Sequence, residues 1–304
     1  MRIAVTGREG QVVRALIERG GAAGHVVLPL GRPELDLTSS AAAIHAAIAA
    51  VHPDVIVSAA AHTAVDRAES ERDLAFSINA TGAEAVAQAA RSLGVPLVHL
   101  STDYVFDGTK PTPYVESDAT GPSGIYGASK LAGEKLVRAA QPDSAVLRTA
   151  WVYSPFGANF VKTMLRLAET RDELGVVADQ RGNPTSALDI ADGVIAVAAH
   201  LVADPDPALR GIFHMTGGGE ASWAELAEAI FVASAAAGGP SAMVRAIPTT
   251  DYPTPAPRPA NSRLDCTLLE ARHGVRLRDW PMALRAVVAR LNDPSAKTDG
   301  VSVS

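Results

Sequence analysis

The sequence predicts an α/β protein built on a doubly wound parallel sheet, with a second, smaller lobe attached to it. Short β-branched runs alternate with longer helical patterns through the first half of the chain, and each run is apolar almost throughout. Parallel strands that are covered on both faces have this continuous apolar character. Their alternation with helices is the pattern of a doubly wound sheet, and the looser pattern after Thr149 predicts the second lobe.

Several segments have the length and composition of core strands. They are Arg2–Thr6, Val26–Leu30, Asp54–Ser58, Leu97–Ser101, Ala145–Thr149 and Ile212–Met215. The segments between them are predicted to be helices. Asp73–Leu93 shows an alanine-rich helical periodicity, and Ala187–Ala203 is predicted to be a helix before the last strand.

The predicted domain boundaries follow the same change of pattern. The sheet domain comprises residues 1–150 plus about 186–216, and the second lobe comprises about 151–185 plus 217–291. Residues 292–304 are polar and non-periodic, and we expect this tail to pack poorly. Two such lobes leave a cleft above the carboxyl ends of the strands, where open α/β sheets bind ligands.

The composition disfavours several classes of partner and of cellular location. The formal net charge is −6 and the 27 basic residues are scattered along the chain, which argues against a nucleic-acid or anionic-membrane partner. The single cysteine, Cys266, excludes an intrachain disulfide and fits a reducing compartment. No signal-peptide pattern precedes the glycine motif that follows Thr6, and no run reaches the ~18 apolar residues of a membrane span. We therefore expect a soluble, cytoplasmic protein.

A glycine motif follows the first predicted strand and opens a helix. Gly7 and Gly10 let the chain turn tightly and bring backbone N–H groups against a pyrophosphate, and the helix dipole favours the phosphate charge. Val13 stands where a third glycine is usual, so the motif alone is weak evidence, and glycines that merely form a surface turn are the alternative. The strand–helix context favours a dinucleotide cofactor.

The end of the second strand bears on which dinucleotide binds. An acidic residue there would bind the adenosine ribose and repel a 2′-phosphate, but the strand ends at Leu30 and Gly31 without an acid. Arg32, or Arg8 in the glycine loop, is suited to pair with the 2′-phosphate of NADPH; Arg32 as a solvated surface charge is an equal alternative. The sequence therefore favours NADPH, with NADH as the alternative.

A tyrosine and a lysine lie four residues apart on one face of a predicted helix, at Tyr126 and Lys130. Free tyrosine has a pKa of ~10 and is a poor proton shuttle at neutral pH. A nearby ammonium group and a cationic nicotinamide ring would lower that pKa. Tyr126 would then be able to give a proton to a carbonyl oxygen while hydride reaches its carbon, and Lys130 would also bind the nicotinamide ribose.

The Tyr-x-x-x-Lys spacing is common by chance, so the evidence for a catalytic role comes from the residues that accompany it. Thr102 follows the fourth predicted strand, where its hydroxyl can hold the same carbonyl oxygen as Tyr126. A glycine loop, a strand-end hydroxyl and the Tyr–Lys pair, in this order on these elements, form the constellation of short-chain dehydrogenases. A purely structural role for Tyr126 is the less favoured alternative.

Longer segments make the resemblance more specific. They are AAAHTAVDRAE (59–69), TDYVFDG (102–108), YGASKLAGE (126–134), RTAWVY (148–153), DQRGNPT (179–185) and PTPAPRPANS (253–262). Through these segments the sequence resembles the dTDP-4-dehydrorhamnose reductases, a family of extended short-chain dehydrogenases/reductases with a Rossmann sheet and a substrate-binding lobe. The resemblance spans about residues 1–291.

The resemblance implies NADPH-dependent reduction of the C4 keto group of a dTDP-4-dehydro-6-deoxy sugar, the last step of dTDP-L-rhamnose synthesis. It gives Tyr126 the role of the acid, Lys130 that of its electrostatic support, and Thr102 that of holding the keto oxygen. The residues that would contact the sugar or the nucleotide are Asp103, Tyr104 and Trp151. The positions that match cofactor contacts are Gly10, Gln11, Val12, Asp36, Leu37, Ala61, His62 and Thr63.

Two arginines of the second half have a chemistry that suits the substrate diphosphate. A guanidinium group binds phosphate in bidentate fashion, and Arg258 and Arg263 lie in or just after a proline-rich loop. An equal alternative is that both arginines are exposed charges on a loop.

Two other functions compete with the reductase. A related sugar-nucleotide reductase, epimerase or dehydratase is disfavoured by the second-half segments and by the missing acid at the end of the second strand. A non-catalytic NADP-binding regulatory subunit is disfavoured because Thr102, Tyr126 and Lys130 are all present.

No metal site is expected. Some relatives resembling this protein hold a magnesium ion between subunits with glutamate side chains, and the matching positions here are Ala15, Leu188 and Arg290. None of these offers the oxygen ligands that magnesium needs. The eight histidines show no metal-ligand spacing. A homodimer, if formed, is expected to use direct contacts.

Overall fold

A parallel sheet forms the centre of the computed structural model, which describes residues 1–293. The strands are β1 (Arg2–Thr6), β2 (Val26–Leu30), β3 (Val55–Ser58), β4 (Leu97–Thr102), β5 (Ser144–Thr149), β6 (Val152–Tyr153), β7 (Glu173–Val177), β8 (Arg181–Gly182), β9 (Thr185–Ser186), β10 (Gly211–His214), β11 (Ala221–Ser222) and β12 (Met243–Ile247). The central sheet has the order β10-β5-β4-β3-β1-β2, and every pair in it is parallel. The predicted doubly wound sheet is confirmed.

Helices cover both faces of this sheet. They are α1 (Gln11–Ala22), α2 (Ala41–Ala49), α3 (Val65–Ser70), α4 (Arg72–Phe76), α5 (Ala83–Leu93), α6 (Ile125–Ala140), α7 (Phe160–Ala168), α8 (Ala187–Ala203), α9 (Trp223–Ala236), α10 (Thr267–His273) and α11 (Trp280–Asn292). Within residues 1–293, no helix combines the length and the apolar character needed to cross a membrane.

The apolar core is divided by the sheet. On one face, α1 packs against α8 over apolar residues of β1, β3, β4 and β5. On the other face, α2, α5 and α6 pack over a second cluster. A third apolar cluster lies among α7, α9 and α11 with β7. These layers leave the carboxyl ends of β1, β3, β4 and β5 open to a cavity.

The predicted strands agree with the observed ones to within one residue at each end. The helix predicted at 73–93 differs: α4 passes into a π-helical segment, Ser77–Gly82, before α5 begins. The buried Asn79 in this segment is held by side-chain hydrogen bonds to the backbone of His62 and to Ser129. Such widened turns often occur at functional sites.

The predicted polar tail, 292–304, lies mostly outside the described residues. Its first residue, Asn292, is the last residue of α11 rather than part of a tail. The physical reason is a hydrogen bond from its side-chain amide to Ser234 Oγ, 3.2 Å away on α9.

A buried ion pair connects the sheet to α6. Arg148 of β5 donates two hydrogen bonds to Glu134 of α6, at 2.9 and 2.7 Å. Both side chains are only 2% exposed. Ser101 of β4 donates to the same carboxylate at 2.5 Å, so one acidic side chain joins two strands and a helix.

We predict that Arg148→Met lowers the free energy of unfolding by about 3–5 kcal/mol, because it leaves a buried carboxylate without its cation. Urea denaturation measures the change. Arg245→Met is the matched control, since Arg245 pairs with Glu173 at the surface, and its loss should stay within about 1 kcal/mol. Equal losses in the two variants would contradict the assignment of stability to the buried pair.

Candidate active site

A cavity of about 820 Å³ lies at the carboxyl ends of the central strands. Twelve of the residues predicted to form the site line it: Gly7, Gly10, Gln11, Val12, Ala61, Thr63, Thr102, Asp103, Tyr104, Tyr126, Lys130 and Trp151. They come from the loops after β1, β3, β4 and β5, from the last residue of β4, and from the first turns of α1 and α6. The structure therefore brings together segments that are far apart in the sequence.

The glycine loop has the features of an anion cradle. Gly7 has φ +101°, a conformation that favours glycine. Gly10 is the N-cap of α1, yet no side chain caps the helix and no acidic residue lies in its first turn. The first amides of α1 therefore have no competing side-chain acceptor, which suits a phosphate group. The loop fits the pyrophosphate of a dinucleotide.

Gln11 also connects α1 to the loop after β6. Its side-chain oxygen accepts hydrogen bonds from Ser154 Oγ at 2.8 Å and from Asn159 Nδ2 at 3.0 Å. The loop after β6 is thereby fastened to the start of α1. Sequence reasoning assigned Gln11 to the cofactor alone and missed this contact.

The contacts of the charged side chains near the end of β2 differ from those that the sequence predicts. The Arg8 side chain lies over Gly31 and forms an ion pair with Glu34, so an acid four residues past the strand reaches the glycine loop. Arg8 and Arg32 are both exposed, and neither lines the cavity. The hydrogen bonds from Thr38 lower the pKa of Asp36, and the charge of Arg32 lowers it further. Arg8, rather than Arg32, lies where the glycine loop meets the end of β2.

Three more of the predicted cofactor positions lie outside the cavity wall. The Asp36 carboxylate accepts hydrogen bonds from the backbone and the hydroxyl of Thr38, and Leu37 is buried in the core beside α5. The His62 ring lies 2.7 Å from a Glu71 carboxylate oxygen. Each of the three is engaged within the protein.

Tyr126 and Thr102 both line the cavity. Burial raises the pKa of Tyr126 to about 12, although the Thr102 hydroxyl lowers it and the Asp103 charge raises it further. Burial, rather than Lys130, therefore dominates the pKa of Tyr126 in this structure, and the expected effect of the nicotinamide ring stays a prediction. The Lys130 ammonium donates to the Leu100 carbonyl at 2.7 Å, and burial lowers the pKa of Lys130 to about 8 against the opposing charge of Glu134.

Asp103 is a buried carboxyl group beside this pair. It is 3% exposed, and its Oδ1 accepts a hydrogen bond from the Thr102 hydroxyl at 3.0 Å. Burial raises the pKa of Asp103 to about 6, against the nearby hydroxyls of Ser262 and Thr102, which favour the carboxylate.

Aromatic side chains also line the cavity. Trp151 has φ +47°, an uncommon conformation for a bulky residue. Its ring stacks on Trp223 with centroids 3.6 Å apart and an angle of 8°. Trp223 in turn donates to Gln180 Oε1 at 3.2 Å. Backbone strain of this kind often occurs at ligand sites.

Sequence reasoning missed Trp223 as a wall residue. The sequence signal for its position is the capping box of Ser222 and Glu225, which marks the start of α9. No local pattern indicates that Trp223 stacks on Trp151, because the two residues lie far apart along the chain.

The two arginines proposed for the diphosphate have different surroundings. Arg258 Nη2 is 2.8 Å from Asp66, and in the described part of the chain its buried Nη1 has no hydrogen-bond partner. Arg263 is fully engaged, with Glu220, Asn261 and Pro111 as acceptors. Neither arginine lines the cavity. Arg263 is therefore a poor candidate for a phosphate ligand, whereas Arg258 keeps a free donor.

The positions matched to a magnesium site have no ligating oxygen in their side chains. Ala15 is completely buried in the core, and Leu188 packs between two apolar clusters. Arg290 forms a bidentate ion pair with Glu18, with both distances 2.8 Å. Between residues 1 and 293, no cluster of three or more His, Cys, Asp or Glu side chains is arranged to hold a metal ion.

Comparison with known proteins gives consistent matches over nearly the whole chain. Residues 1–293 match the family model described as the RmlD substrate binding domain. A dTDP-4-dehydrorhamnose reductase of Sinorhizobium fredii is 52% identical over 289 residues, which cover 95% of this chain and 97% of that protein.

Two solved structures extend the similarity. The dTDP-4-dehydrorhamnose reductase of Clostridium acetobutylicum is 38% identical, with a TM-score of 0.89, and the match covers 96% of this chain and 100% of that one. The enzyme of the same name from Bacillus anthracis, in complex with NADP, is 35% identical with a TM-score of 0.86, covering 94% and 98%.

Proposed function

This chain belongs to the dTDP-4-dehydrorhamnose reductase family, and from that premise we propose that it reduces the C4 keto group of a dTDP-4-dehydro-6-deoxy sugar to give dTDP-L-rhamnose. It is accordingly an NADPH-dependent oxidoreductase. The observation that carries the proposal is that Thr102, Tyr126 and Lys130 line one cavity at the carboxyl ends of the central strands.

In the proposed reaction, bound NADPH supplies the hydride. Tyr126 donates its phenolic proton to the C4 oxygen, and the Thr102 hydroxyl orients that oxygen. Lys130 stabilises the phenolate that the transfer leaves behind, because an ammonium group nearby favours the charged form. Thr102 and Lys130 are buried and Tyr126 is half-buried, which limits the access of bulk water to the reacting atoms.

The cofactor-binding roles follow the geometry of the loops. The turn at Gly7 and the amides that begin at Gly10 are proposed to bind the pyrophosphate. Cofactor contacts carried over from the family follow β2 at Asp36 and Leu37, and follow β3 at Ala61, His62 and Thr63. Two of these five, Ala61 and Thr63, line the cavity.

The substrate is proposed to bind between the sheet domain and a lobe formed by residues 151–185 and 217–291. Trp151 on the cavity wall and the third apolar cluster support this division. Asp103 and Tyr104 are proposed to contact the sugar, and the free donor of Arg258 suits the diphosphate. A cytoplasmic location is also proposed, and the half-buried free thiol of Cys266 supports it.

We predict that Tyr126→Phe keeps the fold and the affinity for NADPH but loses on the order of 10²–10⁴ in turnover, the usual contribution of a positioned acid. The assay follows NADPH absorbance with enzymatically prepared dTDP-4-dehydro-6-deoxy sugar. Tyr114→Phe is the control, because this buried phenol bonds to Asp107 away from the cavity. Turnover above about a third of wild type in Tyr126→Phe would mean that another group delivers the proton.

We predict that Arg8→Ala raises the dissociation constant for NADPH on the order of tenfold and leaves that for NADH nearly unchanged, because a charged hydrogen bond to the 2′-phosphate is lost. Isothermal titration with both cofactors measures the difference. Arg32→Ala is the matched control. A larger effect at Arg32 than at Arg8 would return the phosphate pocket to the position first expected from the sequence.

A homodimer, where it forms, is proposed to assemble through direct contacts without a bridging metal. We predict that EDTA changes neither the turnover, nor the melting temperature, nor the sedimentation behaviour, because Ala15, Leu188 and Arg290 offer no oxygen ligand. A loss of assembly in EDTA that magnesium restores would contradict this prediction and leave the catalytic roles untouched.

A further inference from the structure

The two ends of the Gln11 side-chain amide have different surroundings. Oε1 accepts hydrogen bonds from Ser154 Oγ at 2.8 Å and from Asn159 Nδ2 at 3.0 Å. Among the described residues, Nε2 makes only a long contact of 3.5 Å with the Val152 carbonyl. Gln11 directly follows Gly10 and lines the cavity. The nitrogen therefore remains available to a bound dinucleotide, while the oxygen holds the loop after β6.

The neighbouring contacts fix which way the Gln11 amide points. Asn159 is the N-cap of α7, and its Oδ1 accepts from the backbone amide of Lys162 at 3.1 Å. Its Nδ2 is therefore the atom that faces Gln11, and it also donates to the Ser154 carbonyl at 2.8 Å. A donor in that position requires that Gln11 present its oxygen rather than its nitrogen. The bridge between α1 and α7 thus has one consistent arrangement of donors and acceptors.

The bridge leads to an aromatic wall, which consists of Trp151, Phe160 and Trp223. Phe160 directly follows Asn159 and is the first residue of α7. Its ring centroid lies 4.7 Å from that of Trp223, and Trp223 stacks on Trp151. All three residues line the cavity. A displacement of Asn159 would therefore move the start of α7 and the aromatic wall with it.

We propose that Gln11 is a positioning residue: from the end of the glycine loop it holds Asn159, and through Asn159 it sets the place of the aromatic wall. The proposal rests on the reductase function above, in which the sugar nucleotide binds beside Trp151. Gln11 then contributes to the affinity for the sugar nucleotide and not to the transfer of hydride or proton. A residue that only binds the cofactor would leave the sugar site unchanged once NADPH is saturating.

Two substitutions of Gln11 separate these roles. Gln11→Met removes the bridge, whereas Gln11→Glu keeps an acceptor oxygen for Ser154 and Asn159. At saturating NADPH, Gln11→Met should raise the KM for the dTDP-4-dehydro-6-deoxy sugar about fivefold, the usual effect of one lost hydrogen bond. Its kcat should change by less than about twofold, because the lost binding is the same before and during the reaction. Gln11→Glu should restore the wild-type KM, while its negative charge near the pyrophosphate weakens the binding of NADPH.

Asn159→Ser tests the bridge from its other end, because serine still caps a helix but is too short to reach Gln11. It should raise the same KM about fivefold and leave the dissociation constant for NADPH unchanged. The variant that carries both Gln11→Met and Asn159→Ser should have no higher KM than either single variant, because both substitutions remove the same contact.

Arg14→Met is the matched control. Arg14 lies on the same helix as Gln11 and contacts the same loop, with its guanidinium 4.8 Å from the centroid of the Phe156 ring. Arg290 lies over that ring as well, at 5.0 Å, so the ring keeps a partner when Arg14 is replaced. The KM for the sugar nucleotide should stay at the wild-type value in this variant.

Hydrogen exchange across residues 154–163, measured without cofactor or substrate, gives a readout that does not depend on turnover. Because the bridge limits local opening, the amides at the start of α7 should exchange about fivefold faster in Gln11→Met and in Asn159→Ser than in wild type. Gln11→Glu and Arg14→Met should exchange at the wild-type rate.

Five results would overturn the assignment: an unchanged sugar KM in Gln11→Met, an equal rise in Gln11→Glu, an equal rise in Arg14→Met, KM effects that add in the double variant, or unchanged exchange in Gln11→Met. If wild type oxidises no NADPH with this substrate, the proposed function fails, while the exchange measurements still decide whether Gln11 holds the start of α7.

Discussion

The buried ion pair between Glu134 and Arg148 is the constraint on which the site depends. It joins α6 to β5, and the hydroxyl of Ser101 joins the same carboxylate to β4. Lys130 lies one turn before Glu134, and Thr102 directly follows Ser101. The ion pair therefore fixes the helix that carries the phenol and the ammonium relative to the strand end that carries the hydroxyl. A shift of either element would separate charges that are 2% exposed, which is energetically unfavourable.

Close packing of α6 complements this electrostatic constraint. The acid, the ammonium and the anchoring carboxylate recur at four-residue intervals and so share one face of the helix. Gly127 and Gly133 bring the helix against the backbone carbonyls of Tyr104 and Asn79, and a Cβ at either position would overlap that oxygen. The glycines thus set how near the helix lies to the loop after β4 and to the π-helical segment.

Features that depend on residues near one another in the sequence were predictable. The strands, the glycine loop and the Tyr126–Lys130 spacing belong to this class. Features that depend on distant partners were not: Glu220 engages Arg263, and Glu34 reaches Arg8, and neither contact leaves a local pattern. The stack of Trp151 on Trp223 is of the same kind. The sequence shows which residue types are present, but only the packing decides which charges are already paired.

The direction of the pKa shifts follows from that packing and not from residue type. Burial raises the pKa of Tyr126 and of Asp103 and lowers that of Lys130, so each group is biased towards its neutral form. A lysine four residues from a tyrosine therefore does not by itself make an acidic phenol. A site that disfavours every isolated charge can still transfer protons, provided that each transfer is matched by another along a hydrogen-bonded chain. In such a site the connectivity of the hydroxyl and carboxyl groups matters more for turnover than the pKa of any one of them.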